Sequence, residues 1–424
     1  MKYAVVTFGC RVNQAESLGI EDALRSRGAT STSQDEADVV VVNTCSVTAS
    51  ADQGARQAIR RIARANPAVR VVVTGCYATR QPGDVSALPN VVRVVDNHRK
   101  DALVDAVSGD IGLTTAERFG DGDGPCGHTL TPGTAGRTAF TLRVQTGCQE
   151  ACSYCIIPST RGAGRSRPLS GVVRDVDRAV AAGYKEVTIT GVHLGSYGRE
   201  LDDGSSLTTL IRTLGDWPCD VLFRISSLEP MDCTPEIVEI VASSPRLAPH
   251  FHLPLQHGSD AMLQAMRRPY TVSYYSGLVD RIKTALPNAS IGSDIIVGFP
   301  GETAAYFTEM RMVLEDLQLT HLHVFPYSDR PGTEASRIYP KVDGLEVRAR
   351  GRDVRAIGDR MMRRFKASQV GRTLRALTVD DGQSVVTENY LKLRLDEPRP
   401  RNERIDVRVE GGDPLVARAL PVLP

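Results

Sequence analysis

The sequence predicts an α/β protein in three parts: an N-terminal parallel-sheet domain, a central partial (β/α)6 TIM-like barrel and a small C-terminal antiparallel β-barrel. Three observations carry this. Residues 1–105 alternate continuous apolar β-branched runs with helical patterns, residues 138–368 repeat a strand-helix unit six times, and residues 369–424 fall into short alternating runs separated by turn residues.

In the first part, KYAVVTFGC leads into a helix near 13–27, ADVVVVNTC into one over 50–65, and VRVVVTGC and VVRVVDN complete the set. Strands that are apolar at every position, without alternation, are buried on both faces, as in a parallel sheet covered by helices. Residues 106–137 run through GDGDGPCGHTLTPGTAGRT, whose Gly, Thr and Pro content marks a linker. From 138 the strand-like runs are TAFTLRVQ, EVTITGVHLG, VLFRISSLEP, HFHLPLQHGS, SIGSDIIVGF and THLHVFPYS. Polar or Gly residues gather after each, so a site is expected at the carboxyl ends of the strands. A basic helix over 345–366 closes this part, and TLRALTV, SVVTENYLKLRL and RIDVRVE form the last.

With 424 residues, 41% hydrophobic and 24% charged, the chain is long enough for two or three cores. The start MKYAVVTFGCRVNQ has neither a sustained apolar run nor a small-residue cleavage site, and no stretch approaches a membrane span. The expectation is a cytoplasmic protein with no membrane partner. Nine scattered cysteines, an odd number, fit thiolate ligation in a reducing compartment better than a disulfide framework. A formal net charge of +1 neither demands nor excludes a polyanionic partner.

Cys148, Cys152 and Cys155, in QTGCQEACSYCIIPSTRG, are the most informative group. Three close thiolates can hold a metal centre and leave it open, whereas a structural zinc site wants four ligands, with a second Cys or His pair at its own spacing, and no such pair follows. A zinc knuckle and chance cysteines remain the bland alternatives. Cys10, Cys45 and Cys76 each close an apolar strand, in TFGC, VNTC and TGC, and such positions converge at the carboxyl edge of a parallel sheet. Any one of them by itself reads as a buried core thiol. Cys126, Cys219 and Cys233 have no partner at ligand spacing and are expected to be spectators. His193, His250, His252, His321 and His323 lie on or beside strands and are taken as packed or hydrogen-bonded. The Gly298 to Glu302 loop, GFPGE, lacks the spacing and the Lys of a P-loop.

The C-x3-C-x2-C loop after a strand resembles the signature of the radical S-adenosylmethionine (SAM) superfamily. VTFGCRVNQAES, VVNTCSVTASAD and VVTGCYATRQP, followed by the Cys148 loop and RGAGRSRP, resemble the methylthiotransferases of that superfamily across almost the whole chain. GVHLGSYG, RISSLEP, NTCSVT with its following AD and HVFPYSDRPGT resemble the branch acting on N6-threonylcarbamoyladenosine at position 37 of the tRNA anticodon loop.

The resemblance implies two 4Fe-4S clusters and SAM. Cys148, Cys152 and Cys155 would hold the catalytic SAM cluster in the radical SAM domain (138–368), and Cys10, Cys45 and Cys76 the auxiliary one in the N-terminal domain (1–105). A TRAM-like barrel (369–424) would contact RNA. Tyr154, Gly191, Ser226, Ser227, Glu229, Gln256 and Arg268 would line the SAM pocket, with Ser259 on the same wall. His257, in LQHGSD, stands where Ser is as readily expected. Replacing an aromatic C–H by C–S is beyond acid-base chemistry, so a radical cofactor and a reducing electron donor are implied.

The product would be the 2-methylthio derivative. Isopentenyladenosine in tRNA, a ribosomal-protein aspartate and a non-enzymatic iron–sulfur RNA-binding protein are the alternatives, and no DNA partner is expected. The terminal domain carries nine Lys and Arg against nine Asp and Glu. RRIARANPAVR and the arginines between 348 and 364 could meet phosphates, or could form solvated helix faces.

Overall fold

The computed structural model describes residues 1–107, 109, 132, 138–412 and 415–420. The expected linker, with Cys126, lies almost wholly outside the described residues. Five parallel strands form the N-terminal sheet, in the order Thr30–Ser31, Lys2–Thr7, Val39–Thr44, Arg70–Gly75 and Val91–Val95. Val39 to Val42 and Val71 to Val73 are fully buried because helices cover both faces. Removing each such side chain from water contributes about 1.5–3 kcal/mol. The covering helices are Arg11–Arg25 and Ala49–Ala65, the second capped by Thr48, whose hydroxyl accepts from the Ala51 N–H.

Six further parallel strands follow: Phe140–Arg143, Glu186–Thr190, Leu222–Ile225, His250–His252, Ser290–Val297 and His321–Pro326. They are organised as two three-stranded sheets, joined by the bridges of Phe223 with Leu247 and of Ser227 with His252. The fourth strand is three residues long, shorter than HFHLPLQHGS suggested, because Pro254 removes a ladder donor and Gln256 has a left-handed φ of 70°.

The faces of these strands differ. Leu142, Val187, Ile189, Phe223, Ile225, Phe251, Ile291 and Ile295 turn toward the helices in the largest core. Alternate positions carry polar groups instead, among them Arg143, Glu186, Arg224, His250, His252, Asp294, His321 and His323. The polar face receives the neighbouring parts. Arg143 donates to Glu16 at 3.1 Å and to Asp101 at 2.8 Å, whereas Arg224 pairs with Glu186 at 2.9 Å and donates to the Glu388 carbonyl at 2.9 Å.

Helix Gly344–Gln369 packs Val354, Ile357 and Met361 into the same core and leads to the last part. There Thr373–Val379, Ser384–Thr387, Lys392–Leu395, Val416–Ala419 and Arg404–Glu410 close a barrel in that order. It is not wholly antiparallel, since Lys392–Leu395 and Val416–Ala419 run parallel. Alternating directions cannot close around an odd number of strands, so one of the five junctions has to be parallel. No helix among the described residues is long and apolar enough to cross a membrane.

Candidate active site

The first set of cysteines is assembled by register. Thr7 pairs with Asn43, Asn43 with Thr74 and Thr44 with Gly75, so three strand ends lie level and Cys10, Cys45 and Cys76 follow at one edge. Cys45 and Cys76 are buried and Cys10 is exposed. Burial pushes the Cys45 thiol up to about 11, and the nearby Cys76 and Cys10 sulfurs add to the rise. Gly9 has φ of 90°, and a Cβ there would stand 2.7 Å from Cys45 Sγ. Only glycine lets the two cysteine turns approach this closely. Asn13 stitches them together by donating to the Phe8 carbonyl at 2.7 Å and the Thr44 carbonyl at 2.9 Å.

The second set comes from one loop. Gln145–Thr146 leads to Gly147, whose φ is 77° and whose absent Cβ would otherwise sit 1.9 Å from the Ala163 carbonyl oxygen. The chain then coils around Cys148, Cys152 and Cys155. Backbone N–H groups of Glu150 and Ile157 donate to Cys148 Sγ and Cys155 Sγ, each at 3.4 Å. Arg268 donates to Cys152 Sγ at 3.2 Å and ion-pairs with Glu229. Burial pushes Cys155 up to about 12. Bare thiolates so buried are costly, and a cationic metal centre between them removes that cost. Cys45 and Cys76 in one set and Cys152 and Cys155 in the other thus fit thiolates held by a cluster, with Cys10 the exposed member of the first set.

The remaining candidates are placed unevenly. Glu229, Arg268 and Cys152 come together, and Tyr154 is half-buried beside them with its ring edge-on to Phe299, centroids 6.4 Å apart. Gly191 lies where a Cβ would press on Leu194 at 2.8 Å and Gln145 at 3.1 Å. Ser226 donates to Thr190 Oγ1 at 3.3 Å, and Ser227 pairs with His252. Gln256 donates its N–H to the Asp294 carbonyl at 2.8 Å. Ser259 is buried, with its N–H on His257 Nδ1 at 3.0 Å. Glu302 accepts from the Gly298 and Phe299 N–H groups and pairs with Arg350 at 2.8 Å, so the GFPGE loop is closed on itself.

Several neighbours carried no sequence signal that placed them beside the cysteines. His193 bonds Asp232 at 2.8 Å. Burial pulls its imidazole down, and Asp232 and Cys148 outweigh that and carry it up to about 10. Arg161, on helix Ile157–Arg161 leaving the second cysteine loop, enters the N-terminal sheet edge and donates to Glu16 at 2.7 Å. Lys100 also meets Glu16, at 2.6 Å. Asn97 Nδ2 lies 3.6 Å from Cys76 Sγ and donates to the Thr160 carbonyl at 2.9 Å. The two cysteine sets thus share one buried polar bridge.

Residues 2–96 match the model of uncharacterized protein family UPF0004, and residues 142–314 that of the radical SAM superfamily. The chain is 36% identical over 400 residues to the threonylcarbamoyladenosine tRNA methylthiotransferase MtaB of Aquifex aeolicus, covering 93% of this chain and 96% of that one. It belongs to the radical SAM methylthiotransferase family. The MtaB of Bacillus subtilis is 33% identical over 407 residues, covering 91% and 88%. A tRNA-2-methylthio-N(6)-dimethylallyladenosine synthase of Acidothermus cellulolyticus is 32% identical over 418 residues, covering 97% and 84%. In fold, this methylthiotransferase chain is similar to the radical SAM methyltransferase TsrM of Kitasatospora setae, with a TM-score of 0.55 at 15% identity over 79% and 73% of the two chains.

Proposed function

We propose that this protein is a tRNA methylthiotransferase that converts N6-threonylcarbamoyladenosine at position 37 of the anticodon loop to its 2-methylthio derivative. Identity of 33% and 36% over nine-tenths of the chain to two MtaB relatives supports the substrate. The observation that carries the chemistry is the pairing of two three-cysteine sites through Arg161 and Glu16. Cys148, Cys152 and Cys155 would hold the SAM cluster, and Cys10, Cys45 and Cys76 the auxiliary one. When bound, these groups would supply SAM cleavage and radical chemistry, and would supply or carry the sulfur.

The chain's own residues do the rest. Arg268 and the two loop N–H groups stabilise thiolate charge at the second set, and Asp232 holds His193 oriented beside Cys148. Tyr154, Gly191, Ser226, Ser227, Glu229, Gln256 and Arg268 would border the SAM pocket; of these, Tyr154 packs the loop on Phe299 whatever else it touches. The domains are read as 1–105, 138–368 and 369–424, with 106–137 a linker and the last a TRAM-like RNA contact. A cytoplasmic location and an external electron donor go with this reading.

Anaerobically reconstituted protein, given SAM, reductant and tRNA carrying threonylcarbamoyladenosine, should yield the methylthio nucleoside by mass spectrometry. Label from the methyl group of SAM appearing in a ribosomal protein and not in tRNA would overturn the reading.

A further inference from the structure

The polar face of the six central strands holds a cluster outside both cysteine sites. Asp294 Oδ1 accepts from His252 Nε2 at 3.0 Å and from His323 Nδ1 at 3.2 Å. The rings of His321 and His323 are 5.5 Å apart, and Thr320 Oγ1 bonds His321 Nδ1 at 2.9 Å. Gly292 makes the room. A Cβ there would lie 2.2 Å from His321 Nε2 and 3.0 Å from His252 Nδ1. The cluster is open, since the His323 side chain is 55% exposed.

Its position is specific. His252 pairs with Ser227, and the Asp294 carbonyl receives the Gln256 N–H, so the cluster adjoins two strand ends read above as bordering the SAM pocket. A substrate atom attacked from that pocket would bring its substituents against this wall.

We propose that His252, Asp294, His321 and His323 form the subsite for the polar N6 substituent of the substrate adenosine, and so set the choice between threonylcarbamoyl and dimethylallyl substrates. The inference rests on the tRNA reading above and names its specificity element. With Asp294 holding Nε2 of His252 and Nδ1 of His323, the opposite ring nitrogens are left to meet a ligand. A threonylcarbamoyl group offers these acceptor nitrogens a ureido N–H and a hydroxyl, whereas a dimethylallyl group offers nothing. Covering a carboxylate and three imidazoles with hydrocarbon strips their water without replacing it, and sites built for polar partners reject such analogues strongly. Whole-chain identity to the two kinds of relative is nearly equal, 33–36% for the MtaB relatives above and 32% for the dimethylallyladenosine synthase. Whole-chain identity therefore does not separate the two substrates, and the lining of the substrate site has to.

The test uses holoenzyme with iron content checked, and one anticodon stem-loop sequence carrying either threonylcarbamoyladenosine or dimethylallyladenosine. Preference is read both as a ratio of kcat/KM and as a ratio of binding affinities, for wild type, His323→Phe and Asp294→Asn. The wild type should prefer the threonylcarbamoyl stem-loop by at least about a hundredfold, and each variant should narrow both ratios at least about tenfold, mainly through KM. Unchanged ratios in both variants overturn the inference while leaving the tRNA reading intact. One equivalent of zinc or another divalent ion, present in the wild type and lost in both variants, overturns it in favour of a metal site. A wild type that binds and converts neither stem-loop fails the tRNA reading itself, and this inference with it.

Discussion

Two sets of three cysteines, both proposed above to hold clusters, are assembled by opposite routes. Cys148, Cys152 and Cys155 sit within eight residues on one loop, whose turn is set by Gly147 and whose sulfurs receive local N–H groups. Cys10, Cys45 and Cys76 are spread along the chain and meet only because three strands pair in register. The loop site is local and the edge site is cooperative. Damage to sheet packing should therefore empty the second while sparing the first.

Gly9→Ala is the strongest way to break this contrast. The new Cβ would fall 2.6 Å from Cys45 Cβ and 2.7 Å from its sulfur, at a φ of 90° that L side chains rarely adopt. Iron in the reconstituted protein should drop by roughly half, with the auxiliary cluster lost and the SAM cluster kept. Iron analysis with EPR of the reduced protein measures this, and retention of both clusters would show that the edge site tolerates displacement.

Next comes the bridge between the sites. Arg161→Gln removes a fully buried partner of Glu16, leaving a buried carboxylate only partly compensated by Lys100 and Arg143. Breaking such a pair costs about 3–5 kcal/mol, to be read from denaturant midpoints. A loss below about 1 kcal/mol would mean that Lys100 suffices.

A smaller effect is tied to the wall beside the loop site. Burial, with the Arg350 charge adding, pulls His257 down to about 3. The folded imidazole stays neutral while the unfolded chain takes a proton below its ordinary value near 6.5, so the associated stability is present above that pH and is lost as pH falls from 6.5 toward 3. Between pH 6.5 and 4.5 the wild type should lose about 2 kcal/mol more than His257→Ser. Parallel pH profiles for the two proteins would remove the effect.

Cys219→Ser should change nothing measurable. The thiol is exposed and outside both sets, so an iron content differing from wild type would extend the ligand list beyond the six.

Much of this was legible along the chain. Apolar β-branched runs announced the parallel strands, and their ends carried Cys10, Cys45 and Cys76 to one edge. The short helices and the odd-stranded closure of the last barrel were less so, because pairing direction is a property of the whole ring. The strand histidines read as ordinary packed residues. That holds for His250, which is buried against the Tyr390 ring at 4.5 Å, and for His193, hydrogen-bonded to Asp232 at 2.8 Å, although nothing local placed His193 beside Cys148.

Residue type and local spacing alone determined the loop cysteines and the strand-helix rhythm, because close thiolate spacing and hydrophobic periodicity are local codes, and the resemblance of whole motifs pointed to the family. Tertiary structure alone decided the rest. Arg161 finds Glu16 across 145 residues, Arg11 donates to Tyr390 at 2.6 Å across 379, and His252 and His323 converge on Asp294 across 42 and 29. Such pairs leave no pattern in sequence, since what joins them is strand register and domain docking, and the burial that gives each its energy exists only once the chain has folded.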